Sequence, residues 1–401
     1  MTPLTIAEVA TVISKGTTPT SVGLTFSTTG VPFIRGENVT GGKVAVSAAS
    51  LFISGTAHQA LRRSALRQGD VLVTIAGTIG RIGFIEGLGV EANCNQAVAF
   101  VRCSPSAIYP EWLCLLLQSP KYQAHFSELV AGGAIPNVSL RQIGSLEIPR
   151  ISLGEQREIA AYLRAQLAEV STARQAAQTQ AQDIALLRAR LLKEMLATLD
   201  GVPRKVLGDH APTTSGTTPP RGTKRYWEPA EIPWVKTGEV AFVPITRTEE
   251  AVSRAALAEC SLTLFPPKTV LVAMYGQGKT RGQSAILEVA ATTNQACLAI
   301  LPNDTWEPEF LYHWLLASYQ DLRDLSEDRG GNQANLNGAL LKALEVPAPG
   351  HMQQLEVVRR IKAALHEMDA LAAANLAQRA DLERLPQRLL AQAFDHPGDP
   401  R

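Results

Sequence analysis

The chain has 401 residues, 45% hydrophobic and 19% charged, which is too long for one ordinary core and too apolar for wholesale disorder. Its formal net charge of +1 lacks the basic excess usual for a nucleic-acid binder, so composition alone does not argue for DNA. Five cysteines without a CxxC pair, seven histidines without paired ligand spacing and no membrane-length apolar run predict a cytoplasmic protein without metal or cofactor.

Residues 1–150 carry short apolar runs such as Val71 to Ile75 and Ala97 to Val101, broken by Gly, Pro, Ser and Asn. These read as strands and turns, with a helical patch from Trp112 to Leu117. Composition then changes abruptly: from Glu155 to Leu199 there is no Gly or Pro. Ile159, Leu163, Leu167, Val170, Ala173, Ala177, Ile184, Leu187, Leu191 and Met195 follow in steps mostly of three and four, the seam of a packed helix or coiled coil. Ser152 and Glu155 predict a capping box, and Gly201 with Pro203 the stop. At about 1.5 Å per residue the helix is roughly 65–70 Å long. The strand-and-turn pattern returns over 201–350, with a helical patch from Phe310 to Leu316. A second long helix follows from about Gln353 to Phe394, its seam formed by Ile361, Leu365, Met368, Ala372, Leu382 and Leu389. Pro386 is expected to kink its last part or to end it.

The halves are versions of one another. Gly16-Thr17-Thr18-Pro19 recurs as Gly216-Thr217-Thr218-Pro219, Val31 to Arg35 as Ile232 to Lys236, Asn95-Gln96-Ala97 as Asn294-Gln295-Ala296, and Glu147-Ile148-Pro149 as Glu345-Val346-Pro347. So many matches in order, with so little drift, mark a tandem duplication. If the second long helix packs on the first, the pair is antiparallel about a pseudo-two-fold axis and holds two similar domains apart. Its length corresponds to about two turns of DNA, and its two faces could take two copies of one partner. The division expected is 1–151 and 201–350 for the domains, 152–200 and 351–396 for the helices, and a tail at 397–401. The first domain segment, 1–150, has 11 basic and 8 acidic residues; the second, 201–350, has 14 and 16.

These residues resemble the specificity subunits of type I restriction–modification systems. The signatures are the two Gly-Thr-Thr-Pro turns, Gly69-Asp70-Val71-Leu72, Thr293-Asn294-Gln295-Ala296, and the junction from Ile148-Pro149 to Glu155-Gln156. The second half departs by reading Pro267-Lys268-Thr269 where the first has Gly69-Asp70, and by Pro386. The resemblance implies an α/β (α+β) fold of two homologous mixed target-recognition domains separated by two long antiparallel helices. It also implies a non-catalytic role: binding bipartite double-stranded DNA and assembling with two methyltransferase subunits and with restriction/translocase subunits. Two competitors are an enzyme, a methyltransferase or nuclease half with an unrecognised site, and an assembly scaffold that binds no DNA.

Ala273 to Thr280 ends in Gly-Lys-Thr like a phosphate-binding loop, but it opens with Ala and its repeat partner has no such ending, so a Gly-rich turn is expected. Base reading calls for Arg, Lys, Asn and Gln on loops, because these make bidentate contacts with base edges. Residues shared by both halves suit scaffold or phosphate contact, whereas residues that differ suit sequence reading. Candidate DNA-contacting residues in the first half are Thr17, Thr18, Arg35, Thr78, Arg81 and Asn137. In the second they are Thr217, Thr218, Lys224, Arg225, Tyr226, Lys236, Gln277, Lys279, Arg281, Arg329, Asn332, Gln333 and Asn335. The shared Asn95/Asn294 and Gln96/Gln295 read as structural.

Overall fold

Val71, Val73 and Ile75 lie in one apolar core and Leu72 in another, so the strand Val71–Thr74 is buried on both faces and reads as an unbroken apolar run. Its repeat behaves alike: Val270, Val272 and Met274 enter one core, Leu271 and Ala273 a second. The computed structural model describes residues 3–130, 137–276, 278–327 and 336–394. The chain forms two compact units, Met1–Gln178 with Ala377–Arg401, and Thr179–Leu376.

In the first unit a sheet runs in the order Ala10–Lys15, Val98–Cys103, Val71–Thr74, Ile82–Phe84, extended by Gly42–Val44 and Val39–Thr40. In the second unit the order is Thr213–Ser215, Cys297–Ile300, Val270–Ala273, Ser284–Ile286. A smaller sheet also repeats: Phe52–Ile53, Val31–Ile34, Asn93–Cys94 in one unit and Glu250–Val252, Ile232–Val235, Thr292–Thr293 in the other. In each, the first pair is antiparallel and the second parallel. Two helices with Pro in the first turn, Pro110–Leu117 and Pro308–Ala317, cover the sheets, with Trp112 and Phe310 buried at equivalent places. The two halves thus share one fold.

The first long helix spans Leu153–Ala197 and starts with the capping box: Ser152 N donates to Glu155 Oε2 (2.8 Å) and Glu155 N to Ser152 Oγ (3.2 Å). A buried glutamine fixes each long helix to its unit. The Gln156 amide donates to the Ala107 and Ile151 carbonyls and accepts from Tyr109 N; Gln354 does the same with Thr305, Pro349 and Glu307 N. The helices pair antiparallel within each unit. In the first, Ile159 and Leu163 share a core with Leu390, and in the second Leu192 and Leu196 pack with Val357, Val358 and Ile361. In the second unit the half-buried seam also holds polar links, Asn375 Nδ2 to Gln180 Oε1 (3.0 Å) and Arg188 to Asp369.

Pro386 does not end the second long helix. The second long helix runs unbroken over His351–Phe394 with Pro386 inside. Proline removes the N–H that would reach the carbonyl four residues back, that of Leu382. Arg174, on the facing helix of the same unit, supplies the missing donor: its Nε reaches Leu382 O (3.0 Å) and its Nη2 reaches Glu383 O (2.9 Å).

Candidate nucleic-acid interface

The Gly-Thr-Thr-Pro turn is tied to the strand beside it. Gly16 N donates to Val98 O (3.1 Å) and Thr17 N to Cys94 O (3.2 Å). A Cβ on Gly16 would stand 2.0 Å from Cys94 O, and one on Gly216 only 1.9 Å from Thr293 O, so both positions require glycine. The Thr18 hydroxyl bonds the Gln96 side-chain oxygen, and Thr218 Oγ1 bonds Gln295 Oε1 at 2.6 Å. Gln96 and Gln295 therefore hold this turn, as their repetition suggested.

The turn after Val71–Thr74 meets the same place. Ile75 N donates to Ala97 O (2.8 Å), and Thr74 Oγ1 donates to Thr78 O (2.6 Å) and accepts from Arg81 N (2.9 Å). Arg81 Nη1 reaches Gly36 O (3.3 Å), beside Arg35, which pairs with Glu37. Asn137 is exposed and bridges Ala76 in an antiparallel contact. All six candidates of the first half therefore gather at one end of the sheet. Gln123, on the helix Pro120–Val130, supports the turn from behind through Gly80 O (3.0 Å).

The second unit rebuilds this edge. Thr217 N donates to Thr293 O (2.8 Å), Met274 N to Ala296 O (2.8 Å), and Gly282 N to Ala273 O (2.9 Å). The Gly276 to Gly282 segment joins antiparallel strands and no helix follows it directly, so it lacks the helix N-terminus that a phosphate-binding loop needs. Tyr319 OH donates to Lys279 O (2.6 Å) and Arg323 Nη1 to Gly278 O (2.6 Å), supports the sequence reading missed because they lie some 40 residues away. Lys279 is exposed, while Arg281 is buried, at 7% exposure. Lys236 lies on the edge with its ammonium on Glu249 (2.5 Å) and Glu250 (3.3 Å), which holds its pKa above the usual lysine value.

Lys224, Arg225 and Tyr226 form one short turn, whose Tyr226 packs in a small core with Trp234 and Val252. Lys224 pairs with Glu228 (3.2 Å), Arg225 pairs with Glu259, and the Arg225 guanidinium lies 4.9 Å from the centre of the Tyr226 ring, so cation and ring face each other. Gln277, Arg329, Asn332, Gln333 and Asn335 lie outside the described residues. Asn294 Oδ1 accepts from Thr237 Oγ1 (2.8 Å), whereas Asn95, near Gly36 in place of that threonine, keeps a buried Oδ1 without a hydrogen-bond partner. Among the described residues no His, Cys, Asp and Glu side chains group to hold a metal ion.

A family model described as "Type I restriction modification DNA specificity domain" matches residues 1–177 and again 203–377. The MjaIX specificity subunit of Methanocaldococcus jannaschii is 30% identical over 195 residues, 47% of this chain and 43% of that protein. The EcoR124I/EcoR124II specificity subunit of Escherichia coli is 23% identical over 155 residues, 38% of each chain. The matches thus span less than half the length of these curated relatives. Among solved structures, one from work on complex assembly in the type I R-M system superposes with a TM-score of 0.73 at 20% identity, covering 98% of this chain and 96% of that one. The HsdS subunit from Thermoanaerobacter tengcongensis gives 0.61 at 20% identity, covering 98% and 95%; both likenesses concern the fold.

Proposed function

Because the chain belongs to the type I restriction–modification DNA specificity family, we propose that it is the non-catalytic subunit that chooses the DNA sequence. In this reading it binds a bipartite double-stranded target and assembles with two methyltransferase subunits and with restriction/translocase subunits. Residues 1–151 and 201–350 are the two readers; the long helices at 152–200 and 351–396 are the spacer of a two-part site. The observation that carries the reading is the repeated edge, one architecture presenting different side chains: Thr78, Arg81 and Asn137 in one unit, Lys279 and its neighbours in the other. Thr17, Thr18 and Arg35, with Thr217, Thr218 and Lys236, are common to both and suit phosphate contact or scaffold. Arg281, with Gln277, Arg329, Asn332, Gln333 and Asn335, remains assigned to reading on sequence grounds. A cytoplasmic setting fits five free cysteines, of which Cys94, Cys114 and Cys297 have thiol pKa values pushed up by burial. Among the described residues no helix is long and apolar enough to cross a membrane.

The test is sequencing of DNA methylation in cells carrying this chain and its partner subunits. Arg81→Ala and Lys279→Ala should each relax one position of one half-site, by about 1–3 kcal/mol of discrimination. Uniform weakening across all sequences would assign them to phosphate instead. Absence of any sequence-specific methylation would end the reading in favour of a scaffold, and turnover of DNA by the isolated chain would favour an enzyme.

A further inference from the structure

Both units pair many of their cations, Arg35 with Glu37, Arg164 with Glu111 and Arg174 with Glu383 in the first. In the second unit Arg221, Lys224, Arg225, Lys236, Arg254 and Lys268 all face carboxylates: Glu250, Glu228, Glu259, Glu249, Glu231 and Glu288 respectively. In the first unit Arg62, Arg63 and Arg67 are exposed within six consecutive positions, and among the described residues none of them forms an ion pair, although the Arg67 charge acts on Asp70. Of the acids nearby, the buried Asp70 is bound by Arg102 (2.7 Å), and Glu91 lies 3.9 Å from the His58 ring.

The segment bearing these arginines adjoins the candidate interface. Asn93 Nδ2 donates to Leu61 O (3.1 Å), Ala65 bridges Asn93, and the Cys94 thiol lies 4.0 Å from Ser64 O. Cys94 is also the residue whose carbonyl holds Thr17, and Asn95 to Ala97 continue from it along the edge. The fold does not need the charges. At the equivalent places of the repeat stand Ser261, Leu262 and Pro266, and the same backbone contact closes there, Phe265 N to Ala291 O (2.9 Å), as Leu66 N to Ala92 O (3.0 Å) does here. Three neighbouring guanidiniums repel one another and favour a polyanion that can neutralise them together.

We infer that Arg62, Arg63 and Arg67 form a phosphate-contacting flank of the first reader, so that sequence-independent attraction for DNA comes chiefly from one half of the duplicated chain. This rests on the specificity-subunit reading. It accounts for a near-neutral chain binding a polyanion, since its positive excess is concentrated: residues 1–150 hold 11 basic and 8 acidic groups against 14 and 16 in 201–350.

The test uses the full chain assembled with its partner subunits and a random-sequence duplex, with affinity followed against salt. The triple variant Arg62→Ala, Arg63→Ala, Arg67→Ala should bind more weakly and lose about 0.9 from the slope of log K against log salt for each phosphate contact removed. Replacing the same three by Lys should keep the slope, and Arg254→Ala, a paired cation of the second unit, should leave it alone. Equal melting temperatures for all variants exclude misfolding as the cause. An unchanged slope with the duplex still bound overturns the inference. So does impaired assembly with the modification subunits at unchanged slope, which makes the patch a protein-docking surface. No duplex binding by the unaltered complex would sink the specificity-subunit reading itself.

Discussion

Asp70 and Thr269 occupy the same place in the two units, at the entry to Val71–Thr74 and Val270–Ala273, and both are fully buried. In the first unit the carboxylate is held by two bonds from Arg102, Nε at 2.9 Å and Nη2 at 2.7 Å, and by Arg67 N at 2.8 Å. Burial still pushes its pKa above the ordinary aspartate value, against the pull of Arg102. In the second unit the hydroxyl of Thr269 donates to Pro266 O (2.9 Å), and Leu301 stands where Arg102 does. One residue earlier, Gly69 has φ +83° and Lys268 φ +70°, so the repeat keeps the left-handed turn after losing the glycine that makes it easy. The two units share this backbone while one supports it with an ion pair and the other with a neutral hydrogen bond. Duplicated folds conserve geometry more tightly than the chemistry that secures it.

The comparison can be broken most sharply at Arg102. Arg102→Leu leaves a buried carboxylate with no cation bound to it, only the Arg67 N–H, and should cost about 3–5 kcal/mol in urea unfolding. Adding Asp70→Thr, which copies the second unit, should recover at least half of the loss; no recovery would mean that the two solutions are not interchangeable. A somewhat smaller effect separates the units by pH. Where the first has Leu115, the second buries His313, whose pKa is lowered from 6.5 to about 4, chiefly by burial, with Lys362 and Arg188 adding to the fall and Glu309 opposing it. The imidazole is neutral in the fold and free to charge on unfolding. Stability is therefore complete above pH 6.5 and falls by about 3 kcal/mol as pH drops from there to about 4. His313→Leu should flatten that fall, and an unaltered pH profile would show that His313 does not set it. The smallest effect tests the proline. Arg174→Ala should cost about 1–2 kcal/mol by leaving the Leu382 carbonyl without its donor. In a Pro386→Ala background, where the helix bond returns, the same substitution should cost less.

Much of this was legible in the sequence. The duplication, both long helices and the gathering of Thr17, Arg81 and Asn137 follow from local pattern and from matched positions, because each half repeats the same chain order. What escaped notice depends on partners far along the chain. Lys236 and Arg225 look available until Glu249 and Glu259 arrive beside them, and the burial of Arg281 is not visible in its loop sequence. Pro386 reads as a breaker because its remedy, Arg174, lies on another helix more than 200 residues earlier.

That remedy turns the proline into a register pin. A residue inserted between Leu153 and Arg174, or beyond Leu382, would rotate one helix against its neighbour and carry the guanidinium away from the bare carbonyl. A slide of one full turn, about 5.4 Å, would set it against a carbonyl whose bond is already made. Changes in helix length are thus tolerable only where Arg174 still meets the turn before Pro386, and the proline marks which alignment of the two helices the chain accepts.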